Sequence, residues 1–70
     1  MDREALHKIL SRNPFEAFEL HLSNGEVYAV RHPENIILFK TRLIIGYPEV
    51  ERVVHCALIH INSIEALQTV

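Results

Sequence analysis

The sequence predicts a mainly β protein in which one N-terminal helix precedes five short antiparallel strands that close into a small β-barrel. Three observations support this prediction: an apolar stripe at helical spacing near the start, an Asn-Gly pair between two alternating segments, and turn residues at short intervals along the rest of the chain. The alternative is an open antiparallel sheet with the helix laid across one face. All 70 residues are expected to form one domain.

The helix is predicted over residues 2–12. Asp2 can accept hydrogen bonds from the free amides of the first turn. The apolar stripe consists of four residues: Ala5, Leu6, Ile9 and Leu10. The helix should end before Pro14, because a residue that precedes proline avoids the α conformation.

Strand segments follow, each bounded by turn residues. They are predicted over residues 15–22, 26–31, 36–39, 43–47 and 52–59. A type I′ turn centred on Asn24 and Gly25 should join the first two strands, with both residues at positive φ. A 3₁₀ turn at 60–62 and a short last strand at 64–67 complete the chain, although a helical turn at 64–67 is the alternative.

The alternation of apolar and polar residues predicts which side chains line the interior. From the strands these are Phe18, Leu20, Leu22, Tyr28, Val30, Val54, Cys56 and Leu58. From the helix, Leu6 and Leu10 should close one end of the barrel.

Composition and charge exclude several classes of protein. The formal net charge is -2, whereas a general nucleic-acid binder normally carries a basic excess. The longest apolar run covers residues 36–39, far fewer than the roughly 20 residues of a membrane span. No charged segment precedes a hydrophobic stretch, so we expect no signal peptide and a cytoplasmic location without a membrane partner.

The residue types and their spacings do not indicate a catalytic or metal-binding site. The five histidines, His7, His21, His32, His55 and His60, show no tight metal-ligand spacing. Cys56 is the single cysteine, and it lies in the apolar phase of a strand, where a thiol behaves as a small hydrophobe. Both glycines fall in predicted turns, and neither belongs to a phosphate-binding loop. We therefore predict no enzymatic activity, no cofactor and no metal, and a metal-binding domain is the least favoured hypothesis.

Two polar groups are candidates for recognition. A possible recognition loop consists of His32, Glu34 and Asn35, although these residues also suit an ordinary turn around a proline. A possible basic strip consists of Arg31, Lys40, Arg42 and Arg52, which would require their strands to be neighbours.

A distinctive pattern of residues occupies the first half of the chain: Pro14-Phe15, Phe18, Leu22-Ser23, Gly25, Tyr28, Val30 and His32-Pro33-Glu34. In this pattern the chain resembles a family of short, uncharacterised bacterial proteins common in planctomycetes. The resemblance continues through Arg42-Leu43, Gly46, Arg52-Val53-Val54, His60-Ile61 and Ile64-Glu65. The family has no assigned activity, so the resemblance implies none.

The order of elements also resembles, more distantly, the Sm-like small barrel, a relative in shape of the Src-homology-3-like barrel. In Sm-like proteins an asparagine just before an apolar strand contacts RNA bases, and Asn35 occupies a comparable place. The second Sm signature has a basic residue and a glycine late in its long strand, where this chain has Cys56-Ala57. The resemblance thus implies the fold more than RNA binding.

Several strands are apolar on both alternating faces, although a small barrel has one interior. The surplus residues are Ile37, Phe39, Ile44, Val53 and Ile59, or the opposite set if the strand phase is reversed. Left in water they would form a patch unusual for a monomer. We therefore predict a non-enzymatic protein that binds protein, first of all itself, as a dimer or a ring. An RNA-binding module is the alternative.

Overall fold

The computed structural model describes residues 1–67, so positions 68–70 of the predicted domain lie outside the described residues. The helix α1 spans Arg3–Leu10. The side chain of Asp2 caps it by accepting from the Glu4 amide at 3.2 Å, as predicted. Leu6 is the fully buried residue of this helix and anchors it on the core. No helix within residues 1–67 is long and apolar enough to cross a membrane.

Six strands form two three-stranded antiparallel sheets. The strands are β1 (Phe18–Leu22), β2 (Val27–Val30), β3 (Ile36–Leu38), β4 (Arg42–Tyr47), β5 (Arg52–Ala57) and β6 (Ile61–Ala66). The first sheet has the order β2-β1-β6, and the second has the order β3-β4-β5. The prediction of a mainly β protein with one N-terminal helix is confirmed.

The prediction of a closed, five-stranded barrel is wrong. Residues 1–67 contain six strands, and the two sheets share no hydrogen-bonded ladder. Short 3₁₀ turns at Pro33–Asn35 and at Leu58–His60 interrupt the chain where it passes from one sheet to the other. Because Pro33 has no amide hydrogen, it cannot continue the ladder from β2 into β3.

The turn at Leu58–His60 also corrects two predicted boundaries. The strand predicted over 52–59 ends at Ala57, and the last strand begins at Ile61 rather than at 64. Leu58 and Ile61 are both buried, although in a continuous strand they would face opposite sides. A 3₁₀ turn has three residues per turn, so it brings residues i and i+3 to the same side.

The core lies between the inward faces of the two sheets. Seven of the ten predicted core residues are buried: Leu6, Phe18, Leu20, Val30, Val54, Cys56 and Leu58. Three are half-buried against it: Leu10, Leu22 and Tyr28. Four buried residues were not predicted: Ile36, Leu43, Ile45 and Ile61. The predicted strand phase is therefore correct for β1 and β5, and the unpredicted core residues belong to β3, β4 and β6.

The hairpin between β1 and β2 is only partly as predicted. Gly25 has a φ of 89°, but Asn24 is not at positive φ, so the turn is not type I′. The amide of Gly25 donates to the Leu22 carbonyl at 3.0 Å, and the amide of Leu22 donates to the Glu26 carbonyl at 2.9 Å. These bonds define a three-residue loop with glycine at its left-handed position. The Asn24 carboxamide accepts from the Glu26 amide at 2.9 Å, which fixes the turn locally.

Candidate functional site

The outward side of the β3-β4-β5 sheet is almost entirely apolar. Ile37 on β3 lies opposite Ile44 on β4, and Ile44 lies opposite His55 on β5. We call this surface, made of Ile37, Ile44, Val53, His55 and Ala57, the apolar face. Ile37 is 56% exposed and Val53 is 60% exposed, so the face lies open to solvent.

Phe39 and Ile59 extend the apolar surface at one end of this sheet, and both are exposed. The Phe39 amide donates to the Arg42 carbonyl at 2.8 Å, which tightens the turn between β3 and β4. The Leu58 amide donates to the Thr41 carbonyl at 2.9 Å, so the two segments lie side by side. Of the five predicted interface residues, four are exposed and Ile44 is half-buried between its neighbours.

Opposite charges flank the apolar face at its two ends. Lys40 lies in the turn between β3 and β4, and Arg42 begins β4. At the other end, Glu49 and Glu51 lie in the turn between β4 and β5, and Arg52 begins β5. All five residues are exposed. Because β4 rises about 3.4 Å per residue, its two ends are roughly 17 Å apart.

Two residues of the predicted recognition loop line a groove beside this sheet. The groove has a volume of about 230 Å³, and its lining includes His32, Asn35, Arg31 and Tyr47. Glu34 lies outside it, on an adjoining shallow depression that Asn35 also borders. The Tyr47 hydroxyl donates to the Ala29 carbonyl at 2.8 Å, which fixes the ring as one wall. Burial raises the pKa of Tyr47, so its hydroxyl stays protonated at neutral pH.

The four residues of the predicted basic strip lie in different places. Arg31 lines the groove, whereas Lys40 and Arg42 lie at the turn between β3 and β4. Arg52 lies opposite Tyr47 at the far end of the β4-β5 pair. The pairing of β4 with β5 thus separates Arg42 from Arg52 by the length of a strand.

Cys56 lies inside the core, opposite Leu43, as its place in the apolar phase predicted. Burial raises the pKa of its thiol, with the negative charge of Glu26 as a smaller cause. A protonated, enclosed thiol is a poor nucleophile.

No model of a known protein family matches this chain, and neither a curated protein nor a solved structure matches it. The apolar face and the adjoining groove are therefore interpreted from their geometry and chemistry. The apolar face offers a surface for association, and the groove beside it offers a recess lined by both apolar and polar residues.

Proposed function

We propose that this protein is a non-enzymatic protein-binding module, and that its first partner is a second copy of itself. The observation that supports the proposal best is the open apolar face on the β3-β4-β5 sheet. Its central row runs from Ile37 across Ile44 to His55, and Arg42 lies on the same side of β4, so two polar side chains interrupt an apolar surface three strands wide. Covering such a surface removes apolar area from water, at about 25 cal/mol for each Å² buried.

The charges around the apolar face favour a second copy as the occupant. A two-fold axis that lies between the two sheets and perpendicular to their strands packs the two apolar faces together, with the strands of one copy antiparallel to those of the other. In that arrangement Lys40 and Arg42 of one copy lie over Glu49 and Glu51 of the other, twice in each dimer. Two sheets packed face to face lie about 10 Å apart, which is close enough for these long side chains to meet at the rim.

Light scattering over a concentration series tests this proposal, because a reversible dimer gains mass as the concentration rises. The Val53→Lys variant places a charge on the apolar face and should keep the chain monomeric. Its matched control is Val27→Lys, since Val27 is also an exposed strand valine, at 46%, but lies on the other sheet. Dimers should persist in that control. A wild-type mass that stays at one chain up to high micromolar concentration would contradict the proposal. Equal loss of the dimer in the two variants would contradict it as well.

A charge swap tests the orientation of the two copies. Arg42→Glu should weaken the dimer, because the altered residue then faces Glu49 and Glu51 of the second copy. The double variant Arg42→Glu with Glu49→Lys should restore much of the lost affinity, since the opposite charges meet again. A ring, seen as a mass of several chains, would contradict a two-fold arrangement, as would a double variant no better than the single one.

Short single-stranded RNA is a second candidate ligand, favoured by the groove. Arg31 can pair with a phosphate, and the Asn35 carboxamide can read a base edge. Fluorescence anisotropy with short labelled RNA at low salt tests this candidate. Binding should weaken steeply as salt rises, and Asn35→Ala should reduce it. No binding at low salt, or binding unchanged by Asn35→Ala, would reject the groove as an RNA site.

A further inference from the structure

Three potential metal ligands meet on the outward side of the β2-β1-β6 sheet. The apolar face belongs to the other sheet. Glu19 and His21 lie two residues apart on β1, so both side chains point outward while Leu20 between them is buried. Glu65 lies on β6, directly opposite Glu19. We call these three residues the Glu-His-Glu cluster.

The ligand atoms of the Glu-His-Glu cluster are close together. The Nε2 atom of His21 lies 3.1 Å from a carboxylate oxygen of Glu65 and 3.4 Å from one of Glu19. One ligand atom from each residue lies within 4.8 Å of the other two. Ligands bound to zinc at about 2.0–2.2 Å are roughly 3.3 Å apart at a tetrahedral angle. The two His21 distances therefore match the edges of a zinc tetrahedron.

The Nε2 atom of His21 is buried and has no hydrogen-bond partner within residues 1–67. It approaches both carboxylates, but no hydrogen bond joins it to either. An unpaired buried nitrogen normally costs free energy. A cation between the three side chains satisfies this atom, because the lone pair of a neutral imidazole is a metal ligand.

The two carboxylates of the Glu-His-Glu cluster also favour the binding of a positive charge. Like charges directly opposite each other on paired strands are destabilising, and the pairing of β1 with β6 places Glu19 opposite Glu65. Within residues 1–67, the ion-pair contacts of these two carboxylates are those with His21. A divalent cation offsets both negative charges and leaves the cluster neutral.

We propose that Glu19, His21 and Glu65 form a binding site for a divalent transition-metal ion, with Zn²⁺ as the preferred ion. The imidazole favours zinc over Mg²⁺ and Ca²⁺, which take oxygen ligands. Three protein ligands leave a fourth position for water or an external ligand. The side chain of Glu65 is 64% exposed, so the Glu-His-Glu cluster lies at the surface, covered on its outer side by a glutamate.

Zinc titration of chelator-treated protein at neutral pH, followed by calorimetry, tests this proposal. The wild type should bind one Zn²⁺ per chain, and Mg²⁺ should not compete. His21→Gln and Glu65→Gln should each weaken binding at least about tenfold, since even partners that only support metal ligands cause losses of that size. Zinc should also raise the melting temperature of the wild type but not that of His21→Gln, a readout independent of the heat of binding.

The matched controls are His60→Gln and Glu4→Gln, which alter an exposed histidine and an exposed glutamate outside the Glu-His-Glu cluster. Both should bind zinc as the wild type does. Absence of zinc binding would overturn the proposal. Equal losses in the cluster variants and in the controls would overturn it as well. Circular dichroism of each variant distinguishes lost binding from lost folding.

Discussion

On the central strand of the β2-β1-β6 sheet, Glu19 and His21 point outward. On the central strand of the β3-β4-β5 sheet, the outward residue Ile44 lies between Ile37 and His55. The inward sides of the same two strands are equivalent, because Leu20 and Leu43 are both fully buried. The inward sides account for folding. The outward sides differ in their chemistry, and that difference separates a proposed metal site from a proposed dimer surface.

The equivalence of the inward sides is tested by truncating each central leucine. Leu20→Ala and Leu43→Ala should each lower the free energy of unfolding by about 2–5 kcal/mol, through lost transfer energy and the cavity left behind. Urea denaturation followed by circular dichroism measures both. Similar losses are expected if the sheets share one core. A large loss in one variant and almost none in the other would mean that one sheet is stable without the other.

The two glycines, Gly25 in the β1-β2 turn and Gly46 in β4, should respond differently to a new Cβ atom. Gly25 has a φ of 89° and open space where a Cβ would lie, so the cost of Gly25→Val is backbone strain of about 1–2 kcal/mol. Gly46 is the control, because a Cβ there would lie 3.7 Å from the Asn35 carbonyl oxygen, which is ordinary contact. Gly46→Ala should therefore change stability much less. Equal losses from the two substitutions would show that the β1-β2 turn holds no special strain.

The charged outward side should be slightly destabilising when no metal is present. In metal-free solution, Glu65→Gln removes the repulsion between residue 65 and Glu19. Stability should rise by about 0.2–1 kcal/mol, the range of cross-strand pair effects. Urea denaturation with a chelator present measures the change. A clear loss of stability instead would mean that the contact between His21 and Glu65 is favourable without an ion.

Alkali should destabilise the protein, partly through two buried groups of the β3-β4-β5 sheet. Burial raises the pKa of both Cys56 and Tyr47, so the folded protein holds these protons at pH values where the unfolded chain releases them. The pKa of Tyr28 on β2 is raised by its hydrogen bond to Glu26, which acts in the same direction. The contribution of these groups should be constant below their ordinary pKa values, 9.0 for the cysteine, and should be lost as the pH rises further. Urea midpoints across this range measure the slope. Cys56→Ala should be less stable overall but show a shallower alkaline slope, and an unchanged slope would assign the effect to other groups.

Much of the fold could be predicted from residue patterns alone. Alternation identified the inward residues of β1 and β5, and a proline before the third strand marked a real break. The division into two sheets could not be predicted, because alternation gives the faces of a strand but not its partners. Leu58 continues the apolar phase of β5, which predicts that it belongs to the strand. Instead the chain forms a 3₁₀ turn there, and both Leu58 and Ile61 are buried.

The sequence did not predict the Glu-His-Glu cluster, and the reason lies in the distance between its members along the chain. Glu19 and His21 are two residues apart in a predicted strand, so alternation places both side chains on one face. This spacing alone does not mark them as a pair of metal ligands. Glu65 joins them only through the register of β1 with β6, across more than forty residues of sequence. The apolar face could be predicted better, because its members follow one another closely along the chain.

The end of the chain restricts where the length of this protein can change during evolution. The 3₁₀ turn at Leu58–His60 directs Ile61 onto the core, and a register shift at Asn62 then places Ile64 on the core and Glu65 toward solvent. Inserting one residue between Ser63 and Ile64 would exchange the orientations of Ile64 and Glu65 and send a carboxylate into the interior. Natural variants of the chain should therefore change length at the register shift rather than later in β6.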